Sequence, residues 1–224
     1  MIDLLPHADP GRPLRLLCIG AHSDDIEIGC GGSLLTWLAS GRALEVTWMV
    51  LTAGGTRERE REARRSATAL LRRTAGSDIA LASFRDGFLP SQYEDVKAFF
   101  ESVRRRCDPD IVLTHRLEDR HQDHRLASEL TWNTWRNHLV LEYEIMKYEG
   151  DLGHPNVFVP LAHAVAERKK AHLMRHFGTQ HAKGWFVPEN FDALARLRGL
   201  ECRAPSGLAE AFHARKLRLT LQAV

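Results

Sequence analysis

Short, almost wholly apolar segments alternate along this chain with longer segments whose apolar residues recur at helical spacing. Residues 14–19 read LRLLCI and residues 44–52 read LEVTWMVLT, which is typical of parallel strands that are buried on both faces. The charged segment over 57–73 instead places its alanines and leucines on one helical stripe. Because strands and helices alternate, the sequence predicts an α/β fold: a doubly wound, mostly parallel, Rossmann-like sheet with helices on both faces.

The expected elements can be placed from these patterns and from the turn residues between them. Strands are predicted over 14–19, 44–52, 79–84, 111–115 and 139–148. Helices are predicted over 26–40, 57–73, 92–106, 122–135 and 161–177, and a basic helix over 209–217. No internal repeat or linker interrupts the sequence, so residues 1–224 are interpreted as a single domain. Its core is expected over about 14–150, with a C-terminal decoration over about 151–224.

Composition excludes several classes of function. Lysine and arginine number 31 against 29 aspartates and glutamates, an excess too small to indicate general nucleic-acid binding. The longest apolar runs are strand-sized, which predicts no membrane span. The four cysteines form no CxxC pair and the N-terminus has no secretion signal. Disulfides are therefore not expected, and a reducing cytoplasm is the predicted location.

Two clusters of histidines and carboxylates follow predicted strands. AHSDD, residues 21–25, comes after the first strand, and HRLEDRHQDH, residues 115–124, begins where the fourth strand ends. The first and fourth strands of such a sheet are expected to be neighbours at its switch point, where sites form outside the carboxyl ends. Imidazoles and carboxylates are the ligands of a catalytic zinc, which has three protein ligands and one open position.

Each cluster alone has an ordinary structural explanation. Asp25 can simply cap the helix that follows it, and His121 and His124 can be solvated residues at the polar start of a helix. Two such clusters at two strand ends of one sheet are much harder to produce by accident. Together they favour a metal site.

The same motifs carry a resemblance to a known family. AHSDDIEIGCGG, residues 21–32, is similar to the AHPDDxExGxGG motif of the PIG-L/LmbE-like deacetylases, and HQDH, residues 121–124, resembles their HPDH. Ser23 and Gln122 replace prolines of the family pattern, and neither replacement removes a side chain that the chemistry needs. Further matches are Gly54, Gly55, the Arg/Glu-rich helix after them, Asp86, Gly87 and Gln180.

The resemblance implies a zinc-dependent hydrolase that removes the N-acetyl group from an N-acetylglucosamine-type amino sugar or its conjugate. His22, Asp25 and His124 correspond to the ligands of one Zn²⁺ per chain. Asp24 corresponds to the general base that accepts a proton from the attacking water. His121 corresponds to a histidine that stabilises the oxyanion or protonates the leaving amine.

The resemblance also implies residues around this centre. Asp123 is expected to orient a ring nitrogen of a metal-site histidine. It or another nearby carboxylate is expected to hold the pKa of His121 at or above its ordinary value. Asp86 falls where family members hold sugar hydroxyls, and Arg57 or Arg59 falls near their substrate-binding arginine.

Two alternative functions use the same scaffold. One is an amidase that acts on a thiol-cofactor conjugate of the mycothiol or bacillithiol type. Asp119 stands where some of those members carry a tyrosine, which argues against transferring their specificity. The other is a non-catalytic sugar-binding protein, against which the retained Asp24 and ligands argue. The expected partner is a small-molecule N-acetylated sugar or sugar conjugate, and the sequence leaves a homo-oligomer open.

Overall fold

A seven-stranded sheet lies at the centre of the molecule, which the computed structural model describes for residues 11–218. The strands are β1 (Leu14–Gly20), β2 (Leu44–Val50), β3 (Gly76–Leu81), β4 (Ile111–His115), β5 (Leu139–Tyr143), β6 (Val157–Pro160) and β7 (Ala209–His213). The α-helices are α1 (Asp25–Ala39), α2 (Arg57–Leu70), α3 (Tyr93–Arg104), α4 (Gln122–Thr134), α5 (His163–His176) and α6 (Pro188–Cys202).

The strand order is β3-β2-β1-β4-β5-β7-β6. The first five strands in this order pair in parallel, and β7 is antiparallel to both β5 and β6. In the centre, Leu16 of β1 pairs with Ile111 of β4, and Cys18 pairs with Leu113. This confirms the predicted single α/β domain with a mostly parallel sheet, and it places the switch point between β1 and β4.

Alternate residues of the central strands enter two different cores. Leu16 and Cys18 pack in one core together with residues of α1, α2 and α5. Leu17 and Ile19 pack in the other, with residues of α3 and α4. Burial on both faces explains why β1 is nearly continuous in apolar residues.

Several strand boundaries differ from those predicted, and two of the differences have a clear structural reason. β3 begins at Gly76 rather than residue 79, because its first residues pair with β2 although they are polar and largely exposed at the edge of the sheet. β5 ends at Tyr143 rather than 148. The chain leaves the sheet there, and Glu144 instead forms a buried ion pair with Arg198 of α6 at 2.7 Å.

The C-terminal part differs most from the sequence-based expectation. The basic helix predicted over 209–217 is wrong, because its first residues form β7, and β6 and α6 were not predicted at all. The backbone of β7 pairs with both neighbours, as in Tyr143↔Phe212 and Phe158↔Ala211. These partners are remote in sequence, so no local pattern could indicate the strand.

A buried carboxylate connects β7 to α1. Glu210 accepts hydrogen bonds from the backbone N–H groups of Gly32 at 2.7 Å and Ser33 at 2.6 Å, and from Lys169 Nζ at 2.6 Å. Lys169 also donates to the carbonyl oxygen of Ile28 at 2.6 Å. The helix that begins at the first histidine–carboxylate motif is thereby attached to β7.

None of the helices between residues 11 and 218 combines the length and the apolarity that crossing a bilayer requires.

Candidate metal centre and active site

The two motifs meet at the carboxyl ends of β1 and β4. Residues 21–24 connect β1 to α1, and residues 116–121 connect β4 to α4. The backbone N–H of Ala21 donates to His115 Nε2 at 2.9 Å, which joins the two connections directly. As predicted for a switch point, both clusters therefore face one crevice.

Three buried atoms converge there. His22 Nδ1 lies 3.0 Å from His124 Nε2 and 3.3 Å from Asp25 Oδ2, and His124 Nε2 lies 3.6 Å from Asp25 Oδ2. Ligands of a tetrahedral zinc at ~2.0–2.1 Å from the ion lie about 3.3 Å from one another. The three predicted ligands thus have the separations that a single metal ion requires.

Carboxylates on the far side of the two rings determine which nitrogen of each ring carries the proton. Asp119 Oδ2 lies 2.9 Å from His124 Nδ1, and a carboxylate can only accept, so that nitrogen carries the ring proton. His22 Nε2 faces Asp86 Oδ1 at 3.2 Å and Asp123 Oδ2 at 3.4 Å in the same way. When both rings are neutral, the nitrogens that face each other therefore present lone pairs, beside a carboxylate oxygen. Three acceptors without a donor between them fit a cation.

The charges of the site agree with this interpretation. Burial alone would lower the pKa of His22, but the carboxylates of Asp25, Asp123 and Asp86 outweigh it and raise that pKa well above its ordinary value. The pocket thus favours positive charge where the three atoms meet: a proton on His22 in the metal-free protein, which a metal ion would replace on binding. Burial and neighbouring histidines lower the pKa of His124 to about 3, which keeps its ring neutral, as a metal ligand must be. Further histidine and carboxylate groups overlap with this centre, including His115 and His121.

Asp24 lies beside the centre with one oxygen engaged and one without a partner. Its Oδ1 accepts a hydrogen bond from Arg59 Nη2 at 3.1 Å, whereas the buried Oδ2 has no partner among the described residues. Burial raises the pKa of Asp24, and the Arg59 guanidinium opposes that rise. A buried carboxylate with a free oxygen is suited to accept a proton.

Only one of the two candidate arginines reaches the site. Arg57 is exposed on the first turn of α2, whereas Arg59 points inward. Thr179 Oγ1 lies 3.3 Å from Arg59 Nη1, and Glu62 Oε2 lies 3.6 Å from the same nitrogen. Arg59 therefore contacts the candidate base, and its predicted contact with substrate remains a prediction.

His121 stands at the edge of the centre, half-buried. Its ring centroid lies 4.8 Å from that of His22 and 4.6 Å from that of His124. Its Nδ1 accepts from the backbone N–H of Asp123 at 3.3 Å, so the ring caps α4. Burial and the nearby His22 lower the pKa of His121 although Asp123 and Asp25 oppose this, so the expectation of an ordinary or raised value is wrong.

Asp123 and Asp86 approach His22 from the outer side of its ring. Asp123 accepts from the backbone N–H groups of Gly87 at 2.7 Å and Leu89 at 3.0 Å, which attaches the loop after β3 to α4. Its 3.4 Å contact with His22 Nε2 is the kind of contact that the sequence predicted. Asp86 shares this contact while its side chain remains largely exposed at the opening.

Sequence reasoning missed several residues of the site. Asp119, which accepts a hydrogen bond from His124 Nδ1, was noted only as a departure from a family pattern. His115 is fully buried, stacks on His124 with centroids 3.9 Å apart, and places Nε2 3.1 Å from Asp25 Oδ2. Both residues stand in the motif over 115–124, which also holds predicted site residues, and this was a usable signal. Thr179 directly precedes Gln180, which the family pattern marked, whereas Lys147 gave no signal because it is remote in sequence from both motifs.

This fold and site define an α/β protein with a candidate metal centre at the switch point of its sheet. Residues 17–135 match the family model described as PIG-L: GlcNAc-PI de-N-acetylase. The match covers more than half of the chain, which therefore belongs to the PIG-L family of de-N-acetylases.

Solved structures share the fold along most of the chain. The conserved protein TT1542 from Thermus thermophilus is 24% identical, with 93% of this chain and 97% of that chain covered and a TM-score of 0.68. N,N'-diacetylchitobiose deacetylase from Pyrococcus horikoshii is 20% identical, with 89% and 82% covered and a TM-score of 0.64. GalB, the 4-carboxy-2-hydroxymuconate hydratase from Pseudomonas putida KT2440, is 20% identical, with 94% and 100% covered and a TM-score of 0.69. At such identities the likeness shows the fold alone, and proteins with this fold differ in reaction.

Proposed function

We propose that the protein is a zinc-dependent hydrolase that removes the N-acetyl group from an N-acetylglucosamine-type amino sugar or a conjugate of that sugar. The observation that carries the proposal is the convergence of His22 Nδ1, Asp25 Oδ2 and His124 Nε2 beside Asp24, whose Oδ2 is buried and free. Membership of a de-N-acetylase family supports the same reaction.

The donor set fits one zinc ion per chain. Two imidazoles and one carboxylate are a common set in zinc hydrolases, where the fourth position stays open. A zinc ion bound there would supply Lewis acidity, which polarises the acetyl carbonyl and acidifies the attacking water. The side chains of the protein have to move the protons and hold the substrate.

Asp24 is assigned the role of general base. Its free Oδ2 takes the proton of the attacking water, and its raised pKa brings it closer to the value that suits a base near neutral pH. Arg59 holds the other oxygen, so the carboxylate cannot rotate away. Arg59 in turn donates to Thr179 Oγ1 and forms an ion pair with Glu62.

His121 and Asp86 are assigned to the substrate side of the centre. With Nδ1 occupied by a backbone N–H, His121 has Nε2 available to stabilise the oxyanion or to donate a proton to the leaving amine. Asp86 has an exposed carboxylate next to His22, in a position to accept hydrogen bonds from sugar hydroxyls. Asp123 orients the ring of His22.

The partner proposed for this site is a small N-acetylated sugar or sugar conjugate. The chain belongs to a de-N-acetylase family, and the exposed carboxylate of Asp86 beside His22 can accept hydrogen bonds from sugar hydroxyls. N,N'-diacetylchitobiose, the substrate named for a solved structure of the same fold, belongs to this class.

We also propose the cytoplasm as the compartment, because Cys18, Cys30, Cys107 and Cys202 are free thiols and three of them are buried.

Metal analysis combined with acetate release tests this function. Purified protein is assayed with N-acetylglucosamine, N,N'-diacetylchitobiose, nucleotide-linked and lipid-linked N-acetylglucosamine, and thiol-cofactor precursors of the mycothiol and bacillithiol type. We expect equimolar acetate and free amine from at least one of them, lost with a chelator and restored by Zn²⁺. Asp24→Asn is the inactive control.

Three results would contradict the proposal. One is a zinc-loaded protein that releases no acetate from any member of the panel. Another is acetate release that a chelator leaves unchanged. The third is hydration of 4-carboxy-2-hydroxymuconate in the absence of any deacetylation, since a hydratase shares this fold.

A further inference from the structure

Behind the metal-facing ring of His124 lies a buried chain of charged groups that the proposed reaction does not use. Asp119 Oδ2 accepts from His124 Nδ1 at 2.9 Å and from Lys147 Nζ at 3.0 Å. Lys147 also donates to Asp151 Oδ1 and Oδ2 at 2.8 and 2.7 Å. The side chains of Asp119, Lys147 and Asp151 are 5%, 9% and 7% exposed, so solvent cannot replace these contacts.

This series of contacts ends at the ring of His124, whose Nε2 faces the proposed metal position. His124 can offer Nε2 as a lone pair only in the tautomer with its proton on Nδ1, and Asp119 accepts a hydrogen bond from that Nδ1–H. The other oxygen of Asp119 accepts from the backbone N–H of His121 at 2.8 Å. Asp119 therefore orients the ring of His124, a proposed metal ligand, and also holds the backbone of His121, the neighbouring catalytic candidate.

Lys147 fixes this carboxylate. Asp119 shares Oδ2 between two donors, and burial of an ionised carboxylate is unfavourable unless a positive group compensates. Lys147 Nζ, 3.0 Å from Asp119 Oδ2, supplies that positive group.

Lys147 belongs to a part of the chain that the family match does not reach. That match ends at residue 135, whereas Lys147 and Asp151 follow β5. This segment is held in place from two sides. Asp151 Oδ2 accepts from the backbone N–H of Arg120 at 2.7 Å, and Arg116 Nη1 donates to the Asp151 carbonyl oxygen at 2.7 Å.

From this geometry we infer that Lys147 and Asp119 form a positioning relay, which holds His124 in the tautomer and orientation that bind the metal. A lysine outside the family-matched region then contributes to metal affinity without contacting the metal. The inference rests on the proposed metal centre at His22, Asp25 and His124. It concerns metal binding only and makes no assumption about the substrate.

The test measures metal affinity directly. Wild type, Asp119→Asn, Lys147→Met and the double variant are stripped of metal, and their Zn²⁺ affinities are measured by competition with a chromophoric chelator. Asp119 accepts with both of its oxygens, whereas asparagine has only one, so Asp119→Asn should bind Zn²⁺ about 10–100-fold more weakly, the usual range for a lost partner of a ligand histidine. Lys147→Met should weaken binding by about 10-fold.

The double variant decides whether the lysine acts through the aspartate. A relay predicts that adding Lys147→Met to Asp119→Asn weakens binding by less than about 3-fold further, because the two residues lie in one network. The visible absorption of the Co²⁺-loaded proteins gives a second readout. Its d–d bands should change in both single variants if the ring of His124 has moved.

A matched lysine provides the control. Lys170 Nζ also bridges two carboxylates, those of Asp192 and Glu167, each at 2.7 Å. Lys170→Met should therefore keep wild-type affinity for Zn²⁺ and the wild-type Co²⁺ spectrum. Circular dichroism of the metal-free proteins shows whether each variant is folded. If Lys147→Met does not fold, Lys147→Gln, which keeps a polar group for Asp151, replaces it in the same cycle.

Two outcomes would overturn the relay alone. Folded Asp119→Asn and Lys147→Met proteins with wild-type affinity would show that His124 needs neither residue. Losses that add fully in the double variant would show that Lys147 acts independently of Asp119. A wild-type protein that binds neither Zn²⁺ nor Co²⁺ would overturn the metal centre and the relay together, whereas a metal-binding protein without acetate release would count against the proposed reaction alone.

Discussion

His22 and His124 face each other with ring nitrogens, Nδ1 of the first 3.0 Å from Nε2 of the second. Asp119 accepts a hydrogen bond from His124 Nδ1 on the opposite side of that ring, and Asp86 and Asp123 face His22 Nε2 in the same way. Two lone pairs at this distance repel unless a proton or a metal ion lies between them. The carboxylates around the two rings thus prepare the centre for a cation.

Replacement of His124 by alanine should abolish tight metal binding. Wild-type protein purified without chelator should contain about one zinc per chain, because three ligands of the right type converge. His124→Ala removes one of them and should lose most of the zinc, as measured by elemental analysis. His163→Ala, a change at an exposed position of α5, should keep it. Full occupancy in His124→Ala would exclude this residue as a ligand.

Substitutions of the neighbouring Asp24 and Asp25 should have different effects on zinc content and on kcat. Asp24→Asn should keep the metal, because Asp24 Oδ1 is bonded to Arg59 and its Oδ2 is not among the converging atoms. Its turnover should fall by roughly two to four decades, the scale of a lost general base. Asp25→Asn should instead weaken metal binding. Zinc content and kcat measured on both variants would reveal a reversed assignment.

His121→Ala should leave zinc content unchanged while kcat falls by roughly 100-fold or more, if the ring acts as an acid. An acid must be protonated, so activity should decline as the pH rises through its pKa. Because burial and His22 lower that pKa, the midpoint should lie below the ordinary value of ~6.5. A rate profile over pH checks this, and a variant with the full wild-type profile would show that His121 takes no part.

Two glycines of α1 should respond in opposite ways to alanine. A Cβ on Gly29 would lie 2.2 Å from the ring of Tyr143, whose hydroxyl donates to the carbonyl oxygen of Ile19 at 2.5 Å. Gly29→Ala should therefore cost about 1–3 kcal/mol or more in the free energy of unfolding. A Cβ on Gly31 would meet nothing closer than 3.8 Å, so Gly31→Ala should be neutral or stabilising by up to about 1 kcal/mol. Urea unfolding of both variants tests the contrast, and equal stabilities would contradict it.

Glu27 should make the stability of the metal-free protein fall as the pH rises. Burial raises its pKa to about 8 although Ser66 donates a hydrogen bond to it, whereas the unfolded chain has a value of ~4.3. The folded state thus binds the proton more tightly. This contribution is fully present below about pH 4 and is lost as the pH rises through about 8, by at most about 1.4 kcal/mol per unit.

Glu27→Gln, which carries no charge at any pH, should flatten this dependence. Unfolding free energies at pH 5, 6, 7 and 8 should fall more steeply for wild type than for the variant. Glu58→Gln, at an exposed position of α2, is the matched control and should follow wild type. Parallel curves for wild type and Glu27→Gln would show that Glu27 is already ionised throughout this range.

Much of the sheet and the centre could be predicted because the responsible signals are local. Strands β1, β2 and β4 are short apolar runs, and each connection to the following helix is brief. The spacing of His22, Asp24 and Asp25 in one motif, and of His121 and His124 in the other, places the side chains once the two strands are neighbours. Their pairing in the sheet confirms that expectation.

The sequence by itself determined which residue types stand at the carboxyl ends of the strands, because a strand followed by a short turn and a helix has few conformations. The tertiary structure alone decided which of Arg57 and Arg59 turns inward, that residues 209–213 add a strand, and that Lys147 meets Asp119. These outcomes depend on groups far apart in the chain. Only packing of the whole domain brings such groups close enough for burial to strengthen their hydrogen bonds and charges.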